Sequence, residues 1–182
     1  MSKRSMSNIT PSQTVGPFSH EAWQWAADAC TAASLKTPGP TILVSGIVYD
    51  GDGAPVNDAQ IEAWTPDGAA REPEQLIPGF RRVPSAADGG FSMRIPAPLP
   101  VPDAAARGEP LAYVTVFARG MVKHQFTALF LEDDAGLSRS AILGQVPEAR
   151  RATLLARRTG DAEYHWDIRI QGEQETAFFD YV

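Results

Sequence analysis

Apolar and polar residues alternate with a period of two along several short stretches of this chain. That spacing puts successive side chains on opposite faces of a β-strand. The clearest case is Tyr164–Ile170, where Tyr164, Trp166, Ile168 and Ile170 oppose His165, Asp167 and Arg169. Asp58–Trp64 repeats the pattern, with Ile61 and Ala63 set against Glu62 and Trp64. Thr41–Tyr49 is a β-branched run closed by the turn Asp50-Gly51-Asp52-Gly53, and Asp88-Gly89-Gly90 turns into a strand over Phe91–Ile95. Leu111–Ala118 is apolar on both faces, as a central strand would be. Arg119-Gly120 then turns the chain into a strand over Met121–Leu131, which carries His124 in its middle, and Thr176–Tyr181 forms a last strand.

Between these runs the periodicity fades. Residues 65–87 are broken by proline and glycine and read as loop, and PAPLPVPD (96–103) reads as stiff loop, because proline offers no N–H to a ladder. Helical spacing is confined to two places. One follows Ser19, with Glu21 in the first turn and Trp23, Ala26, Ala27 and Cys30 on one face; the other is PEARRATLLARR (147–158), opened by Pro147. No internal repeat is present. About seven strands with short helices predict an all-β chain, an antiparallel β-sandwich over 19–182 preceded by an extended arm over 1–18.

Composition narrows the function. The 182 residues suit a single domain, and 43% apolar against 21% charged residues is a globular balance. A formal net charge of −6 speaks against a nucleic-acid partner, although one local cation could still hold a small anionic substrate. Cys30 is the only cysteine, so no internal disulfide is possible. The N-terminus lacks an apolar signal core, and no stretch nears the roughly twenty apolar residues of a membrane span. The expected location is cytoplasmic.

Chemistry is harder to read. His20, His124 and His165 are the only histidines and no two are close in sequence, so no intrinsic metal site is expected. There is no nucleophile elbow, glycine-rich phosphate loop or acid/base pair marked by spacing, and Cys30 reads as a packing residue. No catalytic residue is expected. Two features remain. TPSQTVGPF (10–18) sets a glycine–proline step in a polar arm; glycine permits close backbone approach and proline gives a rigid wall, but a disordered tail reads equally well. Arg119 ends an apolar strand and could hold a carboxylate in a bidentate pair, or could simply stand in water.

These segments, together with VSGIVYDGDGAPVNDAQIEAW, VTVFARG, YHWDIRIQGE and ETAFFDY, resemble the α subunits of the two-subunit intradiol ring-cleaving dioxygenases, the protocatechuate 3,4-dioxygenases. The resemblance runs from Thr10 to Tyr181. It implies a homologous β subunit of similar fold, assembled with this chain into a large hetero-oligomer of αβ pairs. It implies a non-haem Fe(III), bound by two tyrosines and two histidines of the β subunit. It also implies protocatechuate and O2 as substrates and 3-carboxy-cis,cis-muconate as product. This chain departs from the ligand pattern throughout. Tyr113 and Thr115 stand where the β chain has its H-x-H pair, Ala69-Ala70-Arg71 where it has one tyrosine, and the tyrosine-free PAPLPVPD where it has the other. The resemblance therefore implies an isolated chain without iron or activity. By position, Thr14, Gly16 and Pro17 correspond to arm residues lining the substrate pocket beside the partner's iron, and Arg119 to an arginine of the substrate site. The competing reading is a transthyretin-like carbohydrate-binding or protein-interaction module. Against it, Trp23, Trp25, Trp64 and Trp166 are not spaced as one strand's face.

Overall fold

A computed structural model describes Trp25, Asp28 and residues 39–75, 77–98 and 108–180. Among the described residues nine strands form one sheet: β1 (Thr41–Tyr49), β2 (Gln60–Trp64), β3 (Phe80–Pro84), β4 (Gly90–Pro96), β5 (Ala112–Phe117), β6 (Gln125–Leu131), β7 (Leu155–Gly160), β8 (Glu163–His165) and β9 (Ile168–Arg169). Their order is β3-β2-β5-β6-β7-β8-β1-β4, with β9 also on β1. The expectation of an all-β chain with short helices holds. The purely antiparallel arrangement does not: β6 runs parallel to β7, and β1 runs parallel to β8 and β9. A parallel pair needs a long crossover. Residues 132–154 supply one between β6 and β7, as a 3-10 turn (Leu137–Arg139), the helix Ala141–Gln145 and the helix Glu148–Arg151.

Period-two patterning decides which side chains meet. Val44 and Val48 of β1, Ile61 and Ala63 of β2, and Val114 and Val116 of β5 are all fully buried in one core. β6 is buried on both faces. Leu129 points into that core, while Ala128 and Phe130 enter a second cluster with Leu143, Val146 and Leu154 from the crossover.

Four local expectations are corrected. Residues 65–87 are not all loop, since they hold the helix Gly68–Arg71 and the strand β3. Charge hid β3: its inward Arg81 is only 2% exposed and is neutralised by Glu72, itself 1% exposed. The helix expected over 147–158 stops at Arg151, because Leu155 and Ala156 are drawn into pairing with Phe130 and Leu131 of β6. β6 begins at Gln125, which leaves His124 exposed in the preceding loop. Thr176–Asp180 joins no strand; single contacts fix it instead, including Thr127 Oγ1 donating to Ala177 O at 2.8 Å and Phe179 N donating to Phe126 O at 2.8 Å. Of the helix expected after Ser19 only Trp25 and Asp28 are described, both helical, and the arm over 1–18 lies outside the described residues.

The Tyr164–Ile170 strand is interrupted. Tyr164, Trp166 and Ile168 are buried as the alternation predicts, but the run splits into β8 and β9 around Trp166 and Asp167. There the Trp166 carbonyl closes on β1 at Gly46, where a Cβ would lie 1.8 Å from the oxygen. Trp166 N still donates to Ser45 O at 2.8 Å, while Ile47 N turns to the Asp167 side chain, Oδ1 at 3.0 Å.

The two ends of the path also meet. Arg81 of β3 donates from Nε to the Arg94 carbonyl of β4 at 2.7 Å, and its Nη1 and Nη2 both bond the Glu72 carboxylate, Nη1 at 3.0 Å. The same carboxylate accepts Gly79 N at 2.8 Å. The sheet is nearly closed on itself.

Candidate functional site

Antiparallel register builds the one predicted site that can be described. β2 and β5 pair with Gln60 opposite Phe117 and Ile61 opposite Val116. Extended by two residues, that register sets Asp58 across from Arg119. The pair forms: Arg119 Nε lies 2.9 Å from Asp58 Oδ2. The two side chains differ in freedom, Arg119 being 61% exposed and Asp58 14%. Asp58 also stands on a clamped turn. Ser85, just past β3, takes the Ala59 N–H on its Oγ at 2.9 Å, donates that hydroxyl to Val56 O at 2.7 Å, and donates its own N–H to Ala59 O at 2.8 Å. Beyond Arg119, Gly120 turns the chain with φ of 87°, a conformation that favours glycine.

Thr14, Gly16 and Pro17 lie outside the described residues. Nothing described joins them to Arg119.

The outer face of β5 carries the two side chains at the H-x-H positions. Tyr113 lies opposite Trp64 and Ala128, and its ring stacks on Phe126 with centroids 5.9 Å apart and planes 13° apart. Thr115 lies between Glu62 and Phe126. One phenol beside a neutral hydroxyl is a poor donor set for ferric iron, which is matched by several phenolate, imidazole and carboxylate ligands held together. Among the described residues no three His, Cys, Asp or Glu side chains converge as a metal site would require. The residues present therefore do not fit an iron on this face.

The two described histidines have structural surroundings. His124 packs its ring 5.4 Å from Phe117. His165 Nε2 lies 2.9 Å from Asp167 Oδ1, the same oxygen that receives the Ile47 N–H.

Two features of this region escaped the sequence reading. Asp58 is one. Gln60 is the other: it is 2% exposed beside Phe117, and neither polar atom of its amide finds a partner among the described residues. Neither carries a motif, and only the strand register brings them to the site. Next to the same face, a cleft of about 510 Å³ is lined by Tyr113, Phe126, Ile142, Arg150, Phe178 and Phe179, among others. Its size falls in the range of small-molecule pockets, and its titratable lining is Tyr113, Arg150 and Asp180. No helix among the described residues is long and apolar enough to cross a membrane.

Known proteins resemble this chain along nearly its whole length. It is 36% identical over 193 residues to the protocatechuate 3,4-dioxygenase alpha chain of Burkholderia cepacia, covering 94% of this chain and 96% of that one. It is 34% identical over 201 residues to the protein of the same name from Pseudomonas putida, with the same coverage of 94% and 96%. Among solved structures, the dioxygenase domain of a dioxygenase carbohydrate-binding protein fusion from Streptomyces sp. SirexAA-E superposes with a TM-score of 0.57 at 19% identity, over 94% of this chain and 96% of that one. Hydroxyquinol 1,2-dioxygenase from Pseudomonas putida DLL-E4 superposes with a TM-score of 0.54 at 26% identity, over 75% of this chain and 58% of that one. No family model matches the chain.

Proposed function

Because the chain belongs to the family of protocatechuate 3,4-dioxygenase alpha chains, we propose that it is the subunit that shapes the substrate pocket of an intradiol dioxygenase without holding the metal. In this reading a homologous β subunit carries the non-haem Fe(III), and αβ pairs assemble into a larger cytoplasmic particle. The complex cleaves protocatechuate with O2 to 3-carboxy-cis,cis-muconate. The observation that carries the division of labour is the outer face of β5, where Tyr113 is stacked on Phe126 and Thr115 is its neighbour on the same face, in place of a histidine pair.

This chain's own part is positioning. Thr14, Gly16 and Pro17 form a wall at the ring edge of the bound substrate, narrow because glycine lets the backbone approach and rigid because proline fixes it. Arg119 supplies a guanidinium for the substrate carboxylate. Closing the pocket excludes water and holds the ring in a reactive pose. The sheet supports the same picture. β3-β2-β5-β6 and β7-β8-β1-β4 share one hydrophobic core, and we read them as the two layers of a sandwich.

The test compares the chain purified alone with the chain co-expressed beside an H-x-H-bearing partner. Alone, it should hold no stoichiometric iron by metal analysis and should consume no oxygen with protocatechuate; together, both should appear. Oxygen uptake by the isolated chain would overturn the reading. In the assembled enzyme, deleting residues 1–17 should impair turnover while the circular dichroism of the β fold persists. Unchanged steady-state kinetics would reduce the arm to a tail.

A further inference from the structure

Arginine is a long side chain that loses about 2 kcal/mol of rotamer freedom when fixed. Arg119 is mostly in water, so something must aim it if it is to meet a ligand at a defined place. The cross-strand carboxylate of Asp58 is that group, at 2.9 Å from Nε. The closest approach is at Nε, on the side edge of the guanidinium; the Nη1/Nη2 end is the one that can grip a second carboxylate with two parallel bonds. Asp58 is suited to the task because it is the rigid member of the pair. It is 14% exposed, it has a short side chain, and Ser85 ties its turn through Ala59 and Val56.

We infer that Asp58, on the turn clamped by Ser85, is a positioning residue that orients Arg119 toward the carboxylate of the substrate. The inference rests on the reading of Arg119 given above. It assigns Asp58 no contact with substrate and no part in ring cleavage. It predicts discrimination: Asp58 matters for substrates that carry a carboxylate and not for those that lack one.

The experiment uses the full chain assembled with its iron-bearing partner, and compares protocatechuate with unsubstituted catechol. Asp58→Asn keeps the shape and removes the charge. It should raise KM for protocatechuate roughly two- to fivefold, the range an exposed ion pair supplies, with kcat unchanged and KM for catechol unchanged. Asp58→Glu should restore most of the loss, and Ser85→Ala, which keeps the carboxylate but loosens its turn, should give a smaller change in the same direction. Arg119→Ala separates the two levels. If it leaves KM for protocatechuate unaltered, the reading of Arg119 fails and this inference falls with it. If Arg119→Ala raises that KM while Asp58→Asn does not, the reading of Arg119 stands and only the positioning role is overturned. Equal effects of Asp58→Asn on both substrates would likewise overturn it, by marking Asp58 as merely structural. Should Asp58→Asn fail to assemble, Asp58→Glu and Ser85→Ala decide the matter through the same KM comparison.

Discussion

Tyr164 shows how a single side chain can write itself into the pH dependence of the whole fold. It is 6% exposed, and its hydroxyl lies 3.1 and 3.0 Å from the two carboxylate oxygens of Asp133. Burial first, and then the bond to Asp133, hold its ionisation above the ordinary tyrosine value of 10.0. The neutral phenol is thus favoured in the folded state. Its contribution is complete below the unfolded value and is lost as pH rises through the folded one. Denaturant unfolding followed above about pH 10 should show stability falling with pH, and Tyr164→Phe should flatten that slope while costing about 1 kcal/mol near neutrality. Parallel curves for the two proteins would place the alkaline loss elsewhere. At this scale the sequence was half legible. Arg119 stood out because it ends an apolar strand just before glycine; Asp58 did not, since a pairing partner depends on register and register leaves no mark in the spacing of one strand. The arm residues Thr14, Gly16 and Pro17 lie outside the described part of the chain, so their placement rests on resemblance.

Among elements, β1 is the strand that its own sequence specifies best and its neighbours constrain most. A β-branched run closed by an Asp-Gly turn gave its bounds directly, Thr41–Tyr49. The reason for Gly46 was hidden, because it lies in the Trp166 carbonyl that crosses where a Cβ would sit. Backbone cannot yield there as a flexible side chain would. Gly46→Ala should therefore destabilise by about 3 kcal/mol, at or beyond the upper end for overpacking, and should separate β8 and β9 from β1. Thermal unfolding measures the first effect and hydrogen exchange at Ile47 and Trp166 the second; a change under about 1 kcal/mol would mean that the crossing strand shifts freely. β3 teaches the opposite lesson. Phe80-Arg81-Arg82-Val83 looks too charged for a strand, but its two arginines face opposite sides and each has its own glutamate, Glu72 within and Glu62 without. The alternation was present and was written in ion pairs. Likewise, helical spacing across 147–158 lost to pairing with β6, which buries Ala156 in the main core and Leu154 in the second cluster.

At the level of the molecule, the class of fold was readable and its closure was not. Strand count follows from periodicity, whereas parallel neighbours such as β6 and β7 depend on a crossover of short helices with weak signals of their own. The contact between β3 and β4 depends on a buried ion pair that no pattern announces. Breaking that pair on one side is expected to be severe. Glu72→Gln would remove the carboxylate charge that faces the buried Arg81 guanidinium, a loss of about 3–5 kcal/mol, read by denaturant unfolding. A loss near zero would show that Arg81 reaches water or another partner. Replacing Glu72 and Arg81 together by apolar residues should recover much of the loss, because no buried charge then remains.

The Arg81 clasp has a further consequence in the crowded cell. Among the described residues β3 and β4 end the strand path, and an open strand end is a template on which other chains can add. Here one end is turned against the other, and the Arg94 carbonyl that could accept a foreign N–H is already taken by Arg81. A weakened clasp should therefore reveal itself as self-association during heating or overproduction before it reveals itself as lost catalysis. The buried pair guards solubility as well as shape.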